Sequence, residues 1–110
     1  MEWFSGSPDE LVQAKDKNIL SAFYVSTENC NVCVPLRVKV EEFFKAKFPQ
    51  VNLIMMRSER YPRCAAEHSL FSAPTLVLFA DGKEVMRYGR NISFQELEDK
   101  LERLVDLMGD

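Results

Sequence analysis

Residues 26–36 read STENCNVCVPL, and the path the chain takes out of this stretch decides the fold. Cys30 and Cys33, two of the three cysteines, lie in it with Asn31 and Val32 between them. Downstream, Val32, Val34, Leu36, Val38 and Val40 alternate with polar or small residues, the two-residue period of a strand. Leu36, Val40, Phe43, Phe44 and Phe48 also share one helical face. Pro35 weakens a strand interior, because it has no N–H to give a ladder. EEFFKAKF at 41–48 continues only as a helix. The sequence therefore predicts a helix over 31–48, with Pro35 in its first turn or kinking it there.

On the N-terminal side, ILSAFYV at 19–25 is a nearly unbroken apolar run, as expected of a strand covered on both faces. Ser7, Pro8 and Glu10 mark a helix start before it: a capping serine, a first-position proline and a capping-box acid. That helix should reach about residue 17. On the C-terminal side, VNLIMM at 51–56 reads as a second buried strand, and Pro62 opens a short helix to about residue 68. TLVLFA at 75–80 and EVMRYGR at 84–90 read as a hairpin, since the intervening Asp81-Gly82 suits a turn that needs positive φ. Ser93 and Glu96 form a second capping box. The stripe Phe94, Leu97, Leu101, Leu104, Val105 and Met108 then runs to a stop near Gly109.

The order α-β-α-β-α-β-β-α limits the topologies. Strand–helix–strand units need parallel pairing with right-handed crossovers, and the closing hairpin adds an antiparallel edge. The expected architecture is α/β, a four-stranded mixed sheet with helices on both faces. The chain is expected to be a single domain over 1–110, with 1–6 as a loosely packed N-terminus.

Composition narrows the class of function. The chain has 46% hydrophobic and 28% charged residues, an ordinary globular balance, and no low-complexity run or repeat. A net charge of −3 with scattered cations argues against a nucleic-acid surface. No apolar span approaches twenty residues, and MEWFSGSPDE lacks the basic-then-apolar pattern of a leader. The expectation is a cytoplasmic protein with no membrane partner. Three cysteines are too few for a disulfide scaffold. In a reducing compartment a close pair is catalytic or metal-binding, and both alternatives stay open at this point.

The element order, with CNVC directly after the first buried strand and Ala73-Pro74-Thr75 directly before the third, resembles the thioredoxin family over residues 10–107. A bare CxxC is a weak signal; CxxC between strand and helix, with Pro-Thr some forty residues on, is a strong one. The resemblance implies a thioredoxin-like fold with a cis peptide before Pro74, packed against the dithiol. It implies a thiol–disulfide oxidoreductase that uses Cys30 and Cys33, with protein disulfides as substrates. Ala73, Pro74 and Thr75 are expected to hold the substrate, with Asn31 and Val32 beside it. No bound organic cofactor is expected. Electrons would come from a separate reductase or a low-molecular-weight thiol, and the protein is expected to be a monomer. The sequence departs from the family at several points. Asn29 precedes Cys30, Ala22 or Tyr24 stands where a buried Asp is usual, Met55 replaces its Lys partner, and Ala73 replaces Ile before the proline.

Such an exchange needs a thiolate to attack a substrate sulfur and a second thiol to resolve the mixed disulfide. Cys30 at a helix start is expected to attack, since the N-terminal dipole favours negative sulfur, and Cys33 one turn on to resolve. A thiol of pKa about 8.5 is about 3% ionised at pH 7, whereas at about 7, as in thioredoxin itself, half is ionised. That sixteenfold gain in thiolate is offset by lower nucleophilicity, leaving roughly three- to fourfold. Docking of the substrate and the leaving ability of Cys30 must therefore contribute more than ionisation.

Two other readings compete. A zinc module would use Cys30, Cys33, Cys64 and His68, whose local spacings suit metal ligands. A binding or adaptor domain would keep the fold with little turnover, consistent with the missing Asp. Taken singly, Cys64 is expected to be a free thiol on the third helix and His68 a packing or surface residue.

Overall fold

The computed structural model describes residues 3–109. The elements, in chain order, are α1 (Pro8–Asp16), β1 (Leu20–Ser26), α2 (Cys33–Lys47), β2 (Asn52–Arg57), α3 (Pro62–Glu67), β3 (Thr75–Ala80), β4 (Lys83–Tyr88) and α4 (Phe94–Gly109), with one 3-10 turn at Ser58–Arg60. The strands form a single mixed sheet in the order β2-β1-β3-β4. β1 and β2 are parallel, while β1–β3 and β3–β4 are antiparallel. This is the four-stranded mixed sheet that the element order required.

Alternation along the two central strands divides the core. Leu20, Ala22 and Tyr24 of β1 and Leu76 and Leu78 of β3 face Val40, Phe43 and Phe44 of α2 and Leu97 and Leu101 of α4. Phe23 and Val25 of β1 and Val77 and Phe79 of β3 face Leu11 of α1 and Cys64 and Ala65 of α3. Helices thus cover both faces, and every residue of β1 is buried, which is why that segment shows no polar alternation.

The ambiguous segment is helical. Val40, Phe43, Phe44 and Phe48 go inside and Leu36 packs against them, while Val34 and Val38 are exposed. The period-2 valines are therefore the outer edge of a helix whose inner stripe is aromatic. The helix begins at Cys33, two residues later than the sequence pattern suggests, with Val32 as a cap that makes no side-chain hydrogen bond. Pro35 falls in the first turn, where a missing N–H breaks no intrahelical bond.

Local chemistry fixes the other boundaries. Ser7 and Glu10 form the full capping box of α1. Asp81 and Gly82 both take positive φ, 53° and 82°, so the β3–β4 hairpin closes through two left-handed residues. At α4 only half the expected box exists. The Glu96 N–H bonds to Ser93 Oγ, but the Glu96 carboxylate turns to Lys100 Nζ at 2.9 Å instead of back to the cap.

Residues 3–6, part of the segment expected to be loosely packed, make several contacts with the rest of the fold; positions 1 and 2 lie outside the described residues. The Phe4 N–H donates to the Met55 carbonyl at 2.6 Å, and the Tyr61 hydroxyl lies 2.7 Å from the Gly6 carbonyl. The Trp3 ring lies against two guanidinium groups, Arg37 at 4.7 Å and Arg57 at 5.0 Å from its centre. Among the described residues, no helix is long and apolar enough to cross a membrane.

Candidate active site

Sheet register builds the site. Val25, one residue from the end of β1, sits opposite Thr75, the first residue of β3. Because the two strands are antiparallel, the chain leaving β1 toward the cysteines and the chain entering β3 through Pro74 meet at one end of the sheet. The Ala73–Pro74 peptide bond is cis, and Pro74 is buried. The Thr75 hydroxyl donates to the Ser72 carbonyl at 2.8 Å, closing this bend. Arg87 of β4 pins the other side, with Nη1 on the Ser69 carbonyl at 2.8 Å and Nη2 on the His68 carbonyl.

The facing loop is short. The Cys30 N–H donates to the Thr27 carbonyl at 3.3 Å and the Cys33 N–H to the Cys30 carbonyl at 3.4 Å. Cys30 and Cys33 form a disulfide across one turn, with Cα atoms 5.4 Å apart. Cys30 stands ahead of α2, and Cys33 is its first residue. The two sulfurs are in unlike settings. Cys33 is fully buried, and Cys30 is partly open at a cleft of about 470 Å³ that Thr27, Asn29, Asn31, Val32, Phe71, Ala73 and Arg90 also line. Of the residues expected at the site, Cys30, Asn31, Val32 and Ala73 therefore share one cleft. Pro74 and Thr75 are buried beside it, and Cys33 lies underneath.

The family profile of thioredoxin matches residues 5–103. The chain belongs to the thioredoxin family. It is 34% identical over 91 residues to the thioredoxin-like protein YdfQ of Bacillus subtilis, covering 79% of this chain and 77% of that one. It is 42% identical over 60 residues to a thioredoxin of Chlamydia trachomatis, covering 54% of this chain and 58% of that protein. It also spans only 55% of a chloroplastic thioredoxin of Arabidopsis thaliana. The oxidised thioredoxin of Plasmodium falciparum superposes with a TM-score of 0.78 at 17% identity, over 94% of this chain and 98% of that one. At that identity the superposition shows the shared fold alone. Family and cysteine pair together make this chain a thiol–disulfide oxidoreductase.

This thioredoxin-family site departs from the usual one beneath the buried sulfur. Tyr24, not Ala22, stands where the family carries an Asp: its hydroxyl donates to the Cys33 carbonyl at 2.6 Å. Its register partner on β2 is Met55, whereas Ala22 pairs with Leu53 farther from the cysteines. Burial pushes the Tyr24 phenol up to about 12, against the opposing pull of the Arg37 guanidinium. A phenol that holds its proton this tightly positions a carbonyl and takes no proton at neutral pH.

The zinc reading is overturned. Cys64 and His68 belong to α3 and its C-terminal end, on the opposite face of the sheet from α2. The Cys64 thiol is 3.8 Å from His68 Nδ1, and the imidazole packs edge-on to the Phe79 ring. Burial and then the Glu67 carboxylate push the Cys64 thiol up. Among the described residues, no group of three or more His, Cys, Asp or Glu side chains is placed to hold a metal. Sequence reasoning missed Phe71 and Arg90. An aromatic three residues before Pro74 was a weak signal for the first, while only the β3–β4 register brings the second to the cleft.

Proposed function

We propose that Cys30 is the attacking thiolate and Cys33 the resolving thiol, with Ala73, Pro74 and Thr75 holding an extended substrate segment and Asn31 and Val32 flanking it. The observation that carries this reading is the unequal exposure of the two sulfurs: Cys33 has no accessible surface, and Cys30 opens into the cleft. Attack on a substrate disulfide is an in-line displacement at sulfur, so the attacking atom must be reachable from solvent. A buried partner cannot meet the substrate first, but it is one turn away once a mixed disulfide has formed on Cys30. Backbone groups beside Ala73 suit pairing with an extended chain, in the manner of an added strand.

Members of the family act on protein disulfides and draw electrons from a reductase. For this chain the substrates are protein or small-thiol disulfides, and the electron source is a separate reductase or a low-molecular-weight thiol. The chain acts as a single monomeric domain in the cytoplasm, where a lone close pair among three cysteines suits redox work better than structural work. The test is a pair of variants assayed on an insulin disulfide substrate. Cys30→Ser abolishes exchange, and Cys33→Ser accumulates mixed disulfides linked through Cys30, read by mass spectrometry. Turnover by both variants would remove the assigned roles. Partner binding without turnover in the unaltered protein would favour an adaptor.

A further inference from the structure

Among the described residues, Arg90 is the only charged one lining the Cys30 cleft. Several other cations of the molecule are engaged, and those that are not lie away from this cleft. Arg37 and Arg57 lie against Trp3, Arg87 is held by Glu84 and the end of α3, and Lys47 and Lys100 have carboxylate partners. Arg90 is exposed and, among the described residues, pairs with no carboxylate. Facing the same cleft, the Phe71 ring is 76% exposed, although its neighbour Leu70 is buried and Thr75 and Arg87 fix the bend around it. The loop before Pro74 thus presents an apolar ring, and the chain leaving β4 an unpaired guanidinium, to the same cleft as the open sulfur.

We propose that Arg90 makes this cleft select disulfides flanked by acidic side chains. The inference rests on Cys30 being the attacking sulfur. As the substrate segment lies along Ala73, a carboxylate within one or two residues of its half-cystine meets the guanidinium, which accepts such groups in a two-pronged geometry. The exposed Phe71 ring offers an apolar surface to the same segment. The net charge of −3 gives anions no long-range attraction, so the preference comes from contact and is screened by salt. An exposed ion pair of this kind gives about two- to fivefold discrimination.

The test uses pre-reduced protein and three end-capped peptides, Gly-Glu-Cys-Glu-Gly, Gly-Gln-Cys-Gln-Gly and Gly-Lys-Cys-Lys-Gly, each activated as a mixed disulfide with 2-thiopyridine. The Cys30 thiolate attacks the peptide sulfur, the peptide–thiopyridine bond breaks, and 2-thiopyridone leaves with a proton. The Cys33 thiolate then attacks Cys30 Sγ and releases the peptide thiol. The dithiol loses two electrons, and the activated disulfide gains them. Rates are divided by those of each peptide with dithiothreitol, which removes intrinsic reactivity. The unaltered protein is expected to favour the glutamate peptide over the glutamine one by about two- to fivefold at low salt, approaching one in molar salt. The ratio falls to about one in Arg90→Gln, and the lysine peptide becomes the fastest in Arg90→Glu. Equal normalised rates in the unaltered protein, or a preference that survives Arg90→Glu, would overturn the proposal. If none of the peptides reacts, the exchange roles fall and this proposal falls with them, whereas a charge-blind reaction sinks Arg90 alone.

Discussion

Tyr24 stands where the family carries a buried acid, but it holds a carbonyl and keeps its own proton. Its hydroxyl holds the Cys33 carbonyl at 2.6 Å, so the first turn of α2 is tied to β1 at the buried cysteine. Tyr24→Phe removes one hydrogen bond to a buried carbonyl and should lower stability by about 1 kcal/mol in urea unfolding. An unchanged midpoint would show that the bond contributes nothing. Burial raises the folded phenol from 10 to about 12. Its stabilisation is therefore complete below pH 10 and lost as pH rises from there toward 12. The variant should lose stability less steeply across that window. Between pH 6 and 9 the rate profiles of the two proteins should run parallel, since the phenol stays protonated throughout. The third cysteine gives a second prediction at this scale. With its thiol pushed up by burial and by Glu67, Cys64 carries little thiolate at neutral pH. In reduced protein, iodoacetamide should label Cys30 well before Cys64, as followed by peptide mass mapping; the reverse order would contradict the burial argument.

Elements are where the sequence was most and least legible. The apolar run of β1, the Ser7–Glu10 box and the Asp81-Gly82 hairpin carry their own instructions, because each is decided within a few residues. The start of α2 is not decided locally. The sequence pattern begins two residues early, since the Cys30–Val32 turn and its disulfide take up positions that helical periodicity alone cannot exclude. The second capping box was half right for a similar reason: Lys100, one turn along α4, competes for the Glu96 carboxylate. Nothing in the sequence of the N-terminal segment announces the bond from Phe4 to the Met55 carbonyl. The hairpin offers a direct test at this scale. Gly82 has φ 82°, and an added Cβ would sit 3.0 Å from Asp16 Oδ1, an oxygen already paired with Lys15 at 2.9 Å. Gly82→Ala should cost roughly 1–2 kcal/mol, seen as a lower urea midpoint at unchanged slope. No shift would mean that the turn adjusts without strain.

For the whole molecule, one sheet register does most of the positioning. Pairing Val25 with Thr75 sets the cysteine loop beside the cis-proline bend, and pairing β3 with β4 carries Arg87 to the end of α3 and the hairpin's far end to the cleft. The cysteines and Ala73-Pro74-Thr75 were legible because they are sequence motifs. Tyr24 was legible only as one of two alternatives, since both it and Ala22 face α2 and α4, and the distance to Cys33 separates them. Phe71 and Arg90 reach the site only through long-range pairing. The same layout keeps Cys64 on the far face of the sheet, away from the dithiol. The central claim is that Cys30 and Cys33 form a self-contained two-electron couple, and the most direct test is a redox titration of the intact chain with mass-spectrometric mapping of every linkage. The account predicts one reversible transition of about 30 mV per tenfold change in ratio, confined to Cys30–Cys33, with Cys64 a free thiol in both forms. A failure to form that intramolecular bond under mild oxidant, or a linkage through Cys64, would contradict it.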